Sequence, residues 1–196
     1  ASMIARMFAF EYAGLFRGLL PLLAAGRLPM PLGGTSNHFR TRILKQAGGW
    51  DPYNVTEDAD LGLRLFRLGY RCGVLERPTF EDAPARPSAW LGQRTRWLKG
   101  WLQTWLVLMR RPARLVADMG LWPAFVFQVL IGGLLLSSLA HPLILVYIAA
   151  IAWMLLQQPA FNLDTLTLAL FVIDIVNIFG SYAVFIALGR GVMTPG

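Results

Sequence analysis

The sequence predicts an α/β part, then an amphipathic helix, then membrane α-helices, and three observations carry that order. The chain is strongly apolar, with 56% hydrophobic residues and a mean hydropathy of +0.51, above the range of ordinary soluble domains. From Leu121 to the C-terminus only Asp164, Asp174 and Arg190 are charged, so the excess behind the net +7 lies before Leu121. Gly- and Pro-punctuated segments fill the first 87 residues, whereas Trp recurs at helical spacing after them.

Taken in order, residues 3–25 read as a helix from the spacing of Ile4, Met7, Phe8, Leu15, Leu19 and Leu22, with Pro21 expected to kink or end it. Pro29, Pro31, Gly33 and Gly34 mark a loop. Thr35–Phe39 is expected as a short strand, and Arg40–Gln46 as a short helix closed by Gly48-Gly49. Thr56 is a good N-cap for a helix whose Leu61, Leu65 and Leu68 stripe ends at Gly69. Arg71–Glu76 reads as a strand, followed by a Pro-rich loop from Arg77 to Pro87. Ser88 is expected to cap a long amphipathic helix reaching about Arg111. The chain thus divides into 1–87, an interface segment 88–118 and a membrane region 119–196.

The uncharged stretch from Leu121 to about Gln157 would measure roughly 55 Å as one helix, against a hydrocarbon core of about 30 Å. A hairpin turning at His141-Pro142 is therefore expected, with arms at about 119–140 and 142–158. Gln157-Gln158-Pro159 breaks the pattern, and about 165–188 reads as a third span. The positive-inside rule puts Lys99, Arg110, Arg111 and Arg114 in the cytoplasm, which makes this a multi-pass inner-membrane protein with Arg190 on the far side. Arginines bordering a membrane segment suit anionic lipid. No nucleic-acid motif accompanies the charge, so nucleic acid is not expected as a partner. The single cysteine, Cys72, cannot form an intrachain disulfide, in keeping with a reducing, cytoplasmic setting for residues 1–120. Ala1-Ser2-Met3 has no signal-peptide layout, and the chain is expected to begin inside a longer polypeptide.

Two strings of residues could carry chemistry. Thr56-Glu57-Asp58-Ala59-Asp60 crowds three carboxylates into a first helical turn. Acids settle there because of the helix macrodipole; alternatively, one of them is a general base that takes a proton from an acceptor hydroxyl. In the second string Gln93, Arg94, Arg96 and Trp97 share a helix with Trp90, Trp101 and Trp105, and the four tryptophans lie on one face. Trp101 and Trp105 read as packing or an interface belt, with Trp105 towards lipid. Trp97 differs because amide and cationic groups flank it: such groups can hold a diphosphate while an indole stacks on a sugar ring. His38 reads as a structural histidine. Asp174 shares a face with Asn177 and Ser181 inside the third span, where it would face a sugar-conducting path or bond to neighbouring helices.

Thr56-Glu57-Asp58 and Gln93-Arg94-Thr95-Arg96-Trp97 resemble the TED and Q-x-x-R-W motifs of processive family-2 glycosyltransferases, the group of cellulose, chitin, hyaluronan and poly-N-acetylglucosamine synthases. Gly33-Gly34-Thr35-Ser36-Asn37, Arg40 and Gly48-Gly49-Trp50-Asp51 resemble the acceptor-side segment that precedes TED. The resemblance implies the C-terminal part of a GT-A-like domain, followed by an interface helix and about three transmembrane helices. It also implies roles. Asp58 maps to the catalytic base, Gln93 and Arg96 to the groups that hold the nucleotide diphosphate, and Trp97 to the acceptor stack; Glu57 and Arg94 complete the substrate-binding set. The family's divalent metal, Mg or Mn, sits on a D-x-D motif. None precedes Gly33, and Asp58-Ala59-Asp60 belongs to the TED helix, so the metal ligands are expected mostly outside this chain. The implied partners are a nucleotide sugar (most simply a UDP-sugar), a growing glycan, the lipid bilayer, an N-terminal catalytic half and polysaccharide-export subunits. This chain by itself is expected not to turn over sugar nucleotide. The alternative is a non-catalytic scaffold or glycan-translocation subunit that keeps the fold; a transporter would leave both strings unexplained.

Overall fold

The computed structural model describes residues 2–75, 77, 79–157 and 164–193, with side chains described at all of these except 155, 181, 182, 184, 185 and 188–193. The chain forms two compact units, Ala1–Leu135 and Leu136–Gly196. Both strings singled out above lie in the first.

Among the described residues there is no strand, which corrects the α/β expectation for this chain. An extended segment becomes a strand only beside a partner that completes its hydrogen-bond ladder, and neither candidate meets one. Thr35–Phe39 bends instead, with Ser36 at φ +56°. Side chains pin that loop: Asn37 Nδ2 donates to the Gly33 carbonyl, and Thr79 Oγ1 donates to Ser36 Oγ at 2.8 Å. His38 is exposed, its Nδ1 lying 3.0 Å from the Ser36 carbonyl. Residues 71–75 run without regular structure, and Glu76 lies outside the described residues.

The first helical run comprises α1 (Met3–Ala13), a π-helical turn (Gly14–Leu19) and α2 (Leu20–Ala25). Pro21 does not end it. The wider π turn precedes the proline, which takes a first-turn position of α2 where a missing N–H costs little. A short helix, α3 (Thr41–Gln46), closes on Gly48 and Gly49 at φ +81° and +69°, left-handed conformations that glycine adopts without strain. Next comes α4 (Glu57–Arg67), stopped before Gly69 at φ +85°.

The core is built around α4. Its Leu63 and Phe66 pack with Leu108, Leu115, Met119, Phe127 and Ile131, while Leu61 and Leu65 pack with Ala47 in a second cluster. Full burial of each such side chain favours folding by about 1.5–3 kcal/mol. Leu68, predicted on the same stripe, is 53% exposed because the helix has already ended. Gly62 faces the 30–32 segment: a Cβ there would fall 2.9 Å from Leu32 Cγ. Any side chain would therefore push α4 off the loop that leads to the site.

The predicted interface segment is two helices, α5 (Pro87–Met109) and α6 (Pro112–Met119). Ser88 is inside α5 and does not cap it; Pro87 takes the first position, where its fixed φ starts a helix. Gly120 at φ +91° turns the chain into α7 (Leu121–Phe127), a π-helical turn (Gln128–Gly132) and α8 (Gly133–Gln157).

Helix α8 passes straight through His141-Pro142, so the predicted hairpin at that point is not formed. Proline removes a single backbone donor, whereas a reversal needs turn residues, and apolar Leu139-Ala140 and Leu143-Ile144 flank the pair. His141 Nδ1 lies 2.8 Å from the Ser137 carbonyl, one turn back. Among the described residues two helical runs are long and apolar enough to cross a membrane: Leu121–Met154, with 34 residues, and Met3–Ala25, which was not read as a span. The last helix, α9 (Thr165–Met193), contains a shorter apolar stretch, Thr165–Gly180, and Asp164 caps it by accepting from the Thr167 N–H at 3.2 Å. Among the described residues, two of these runs rather than three thus have the length and hydropathy of a span. Gln157 ends α8, and the rest of the predicted break, Gln158-Pro159, lies outside the described residues, as do the side chains of Ser181 and Arg190.

Candidate functional site

The loop that leads into α4 is fastened to α5 by buried polar groups. Asn54 and Thr104 are both buried, and Asn54 Nδ2 donates to Thr104 Oγ1 at 2.8 Å. Asn54 Oδ1 accepts from the Thr56 N–H at 3.0 Å and from the Thr56 hydroxyl at 3.2 Å. At the preceding position of α5, Gln103 Nε2 donates to the Tyr53 carbonyl at 3.0 Å. Gly100 completes the clasp: a Cβ on it would lie 2.8 Å from Thr56 Cβ, so the helix approaches the loop more closely than any side chain permits. The cost of burying these groups is offset because each has a partner.

That arrangement redirects Thr56. It occupies the N-cap position of α4, but its hydroxyl is turned to Asn54 and makes no capping bond, contrary to the sequence expectation. In the first turn of α4 the Ala59 N–H donates to Asp58 Oδ1 at 2.8 Å instead.

The three carboxylates of the first turn have different surroundings. Asp58 is half-buried, and burial pushes its carboxyl above the ordinary range; the Ala59 N–H pulls it down, Glu57 pushes it up, and Arg96 pulls it down. Asp58 and Arg96 therefore share one electrostatic environment. Gly34 borders the same carboxylate, with a Cβ there falling 3.2 Å from Asp58 Oδ2. Asp60 is also raised by burial, but Arg64 opposes that through Nε at 2.8 Å, and Arg64 Nη1 donates to the Ala47 carbonyl at 2.7 Å. Asp60 therefore belongs to the fold. These residues do not fit a divalent metal: Asp60 is engaged by Arg64, and no three His, Cys, Asp or Glu side chains converge among the described residues.

On α5, Gln93 Oε1 is buried without a protein partner among the described residues, a free acceptor beside the site. Arg96 is exposed and lines a groove of about 600 Å³ with Val55, Leu91, Gly92, Thr95 and Lys99. Trp97 is half-buried, its ring 6.3 Å from that of Tyr12 on α1. Arg94 forms an ion pair with Glu11 of α1 and lies over the rings of Trp90 and Trp97, at 5.4 and 4.9 Å from their centres. Trp105 does not turn to lipid. With Trp101 it packs on the α4 core, and its Nε1 donates to Gln128 Oε1 at 2.9 Å.

The sequence reading missed Asn54, Gly100, Thr104, Glu11 and Tyr12. Gly100 and Thr104 had a visible signal, since two small residues four apart within a stripe of tryptophans mark a close approach. Glu11 had one as well, as the single acid of α1.

The model of glycosyl transferase family group 2 matches residues 2–185. A probable glycosyltransferase, YdaM, of Bacillus subtilis (strain 168) is 37% identical over 68 residues, 34% of this chain and 16% of that protein. Beta-monoglucosyldiacylglycerol synthase of Synechocystis sp. (strain ATCC 27184 / PCC 6803 / Kazusa) is 32% identical over 76 residues, 38% of this chain and 16% of the relative. The matched stretch thus spans a small part of either relative's length. No solved structure gives a significant match. With nearly its whole length matched by the family model, the chain belongs to glycosyl transferase family group 2.

Proposed function

We propose that this chain forms the acceptor and base side of a membrane-bound, inverting glycosyltransferase that takes its sugar from a nucleotide-diphosphate donor, most simply a UDP-sugar, and extends a glycan. The observation that carries the proposal is the Asn54–Thr104 clasp, which fastens the loop before Asp58 to the helix that bears Gln93–Trp97, with Arg96 near enough to lower the Asp58 carboxyl. In the proposed step the acceptor oxygen attacks the anomeric carbon and its proton passes to Asp58. The sugar–diphosphate bond breaks, and the diphosphate leaves with the bonding pair. A carboxyl raised by burial is better suited to take that proton than an ordinary one. Gln93 and Arg96 would hold the departing diphosphate with an amide and a charge-assisted hydrogen bond, Trp97 would lie against the acceptor sugar, and Glu57 would contact the substrate beside Asp58. Any Mg or Mn, like the nucleotide pocket, would be supplied by residues of the enzyme other than these.

Lipid is the proposed surrounding of Leu121–Met154. Only 6% of its most apolar window is buried inside the protein, whereas the core helix of a soluble protein would be mostly covered. Lys99, Arg110, Arg111 and Arg114 then mark the cytoplasmic side of an inner membrane.

The acceptor has a second reading, a lipid hydroxyl, favoured by the apolar lining that Val55, Leu91 and Gly92 give the groove beside Arg96. The name of the Synechocystis relative, a monoglucosyldiacylglycerol synthase, points the same way. The experiment is Asp58→Asn in the complete protein, assayed with labelled donor and with either a glycan primer or diacylglycerol. Donor binding should persist while transfer falls about 100-fold or more. Near-normal turnover in the folded variant would reject Asp58 as the base, and the productive primer identifies the acceptor.

A further inference from the structure

Within the Gln93–Trp97 string, Arg94 is the residue whose surroundings least resemble those of a phosphate ligand. Its Nη2 donates to Glu11 Oε2, reaching from α5 to α1. Its guanidinium lies 4.9 Å from the Trp97 ring centre and 5.4 Å from that of Trp90, within cation–π range of both. The pair with Glu11 is monodentate, since Arg94 Nε has no partner among the described residues. Tyr12, next to Glu11, sets its ring 6.3 Å from Trp97 at 30°, and Phe8 stacks on Tyr12 at 4.1 Å. The Trp97 indole is therefore bounded by two neighbours, a cation tied to α1 and an aromatic ring carried by α1. Among the described residues Arg96 has no such company: it is exposed and lines the groove.

We propose that Glu11 and Arg94 are a positioning pair, in which Glu11 anchors Arg94 and Arg94, with Tyr12, fixes the Trp97 ring for the acceptor. Arg94 then leaves the diphosphate to Gln93 and Arg96. The pair divides the string by task. One arginine engages a carboxylate and two indoles within the protein, and the other keeps its fork for the substrate. The proposal rests on the reading of Trp97 as the acceptor contact.

The test uses the complete enzyme in membranes and reads three quantities separately: acceptor KM, kcat and inhibition by the product nucleoside diphosphate, with UDP as the probe. Glu11→Gln and Arg94→Gln should each raise acceptor KM about five- to tenfold, with kcat within about twofold and UDP inhibition unchanged. Glu11→Asp, which restores the charge, should recover most of that loss. Arg96→Gln is the contrast, and should weaken UDP inhibition. If Arg94→Gln weakens UDP inhibition as Arg96→Gln does, Arg94 holds the diphosphate and the proposal is overturned. It is equally overturned if Trp97→Ala raises acceptor KM while Glu11→Gln does not. If Trp97→Ala itself leaves acceptor KM unchanged, the underlying reading of Trp97 fails, an outcome separate from either of these. Should Glu11→Gln not fold, Arg94→Lys keeps a cation over the rings without the planar fork and is expected to show a smaller rise in acceptor KM alone.

Discussion

Gly100 and Thr56 meet where the two chemically suggestive segments cross, and the missing side chain of one makes room for the other. A glycine inside a helix ordinarily destabilises it by about 1 kcal/mol relative to alanine, so its place in α5 has to be explained by what it allows. It allows the backbone of α5 to reach the loop that leads into α4 and Asp58.

Gly100→Ala should therefore reverse the usual effect of such a change. Helix propensity favours alanine, yet the added methyl would sit 2.8 Å from Thr56 Cβ. Overpacking of that kind costs about 1–3 kcal/mol. Thermal unfolding in detergent should show a lower Tm and reduced transfer, with partial recovery when Thr56→Gly is added. A Tm at or above that of the parent would show that the loop yields freely.

Thr104→Val keeps the shape and removes the hydroxyl. Asn54 Nδ2 would then be buried without its acceptor, a loss of about 1–3 kcal/mol. Denaturant unfolding measures it. Activity should fall as well, because Asn54 also holds Thr56. A variant as stable as the parent would mean that water replaces the bond.

The state of Asp58 yields a pH prediction with a definite sign. Burial raises its carboxyl above the ordinary value of 3.8, so the folded protein favours the protonated form. Stability from this group is complete below the unfolded value and is lost as pH rises through the folded one. Asp58→Asn should therefore raise Tm at neutral pH, and the two Tm curves should converge in acid. Catalysis runs the other way: the base works ionised, so transfer declines as pH falls through the raised value. Arg96→Gln removes a cation that opposes the rise and should move that acid limb to higher pH. A limb that stays in place in this variant would show that Arg96 and Asp58 are uncoupled.

Trp97 and Trp105 should separate by readout. Trp105→Phe loses the bond to Gln128 and should cost about 1–2 kcal/mol of stability, with acceptor use in the surviving protein unchanged. Trp97→Phe should weaken acceptor use with little change in Tm. Matching profiles for the two variants would contradict their separation into core and site.

What was legible in the sequence follows from the range of the forces involved. Gly48, Gly49 and Gly69 marked helix ends because a positive φ is a local demand that glycine meets. Glu57, Asp58, Gln93 and Trp97 were singled out through the spelling of two short strings, which the fold carries on α4 and α5. Contacts across the fold were not. The hydroxyl of Thr56 was assigned to a helix end, but Asn54, itself held by Thr104 fifty positions along the chain, draws it away. Trp105 was sent to lipid because nothing near it in sequence hinted at Gln128. The strand at Thr35–Phe39 failed for the same reason, since pairing depends on a neighbour and the segment itself can show only propensity. At Pro142 the error was to read one lost hydrogen bond as a reversal of the chain.

The apolar run that begins at Leu121 also changes where this protein can be cut. Phe127 and Ile131 belong to that run by composition, yet they complete the cluster of Leu63, Phe66 and Leu108 on which α4 and α5 rest, and the first compact unit extends to Leu135. A boundary drawn by hydropathy at Gly120 would remove part of the interior. The water-facing portion would have to assemble with a hole where those two side chains belong. The stretch from Leu121 to Leu135 is thus a structural member of the first unit, and its packing and the closure of the Asn54–Thr104 clasp become steps of one folding reaction.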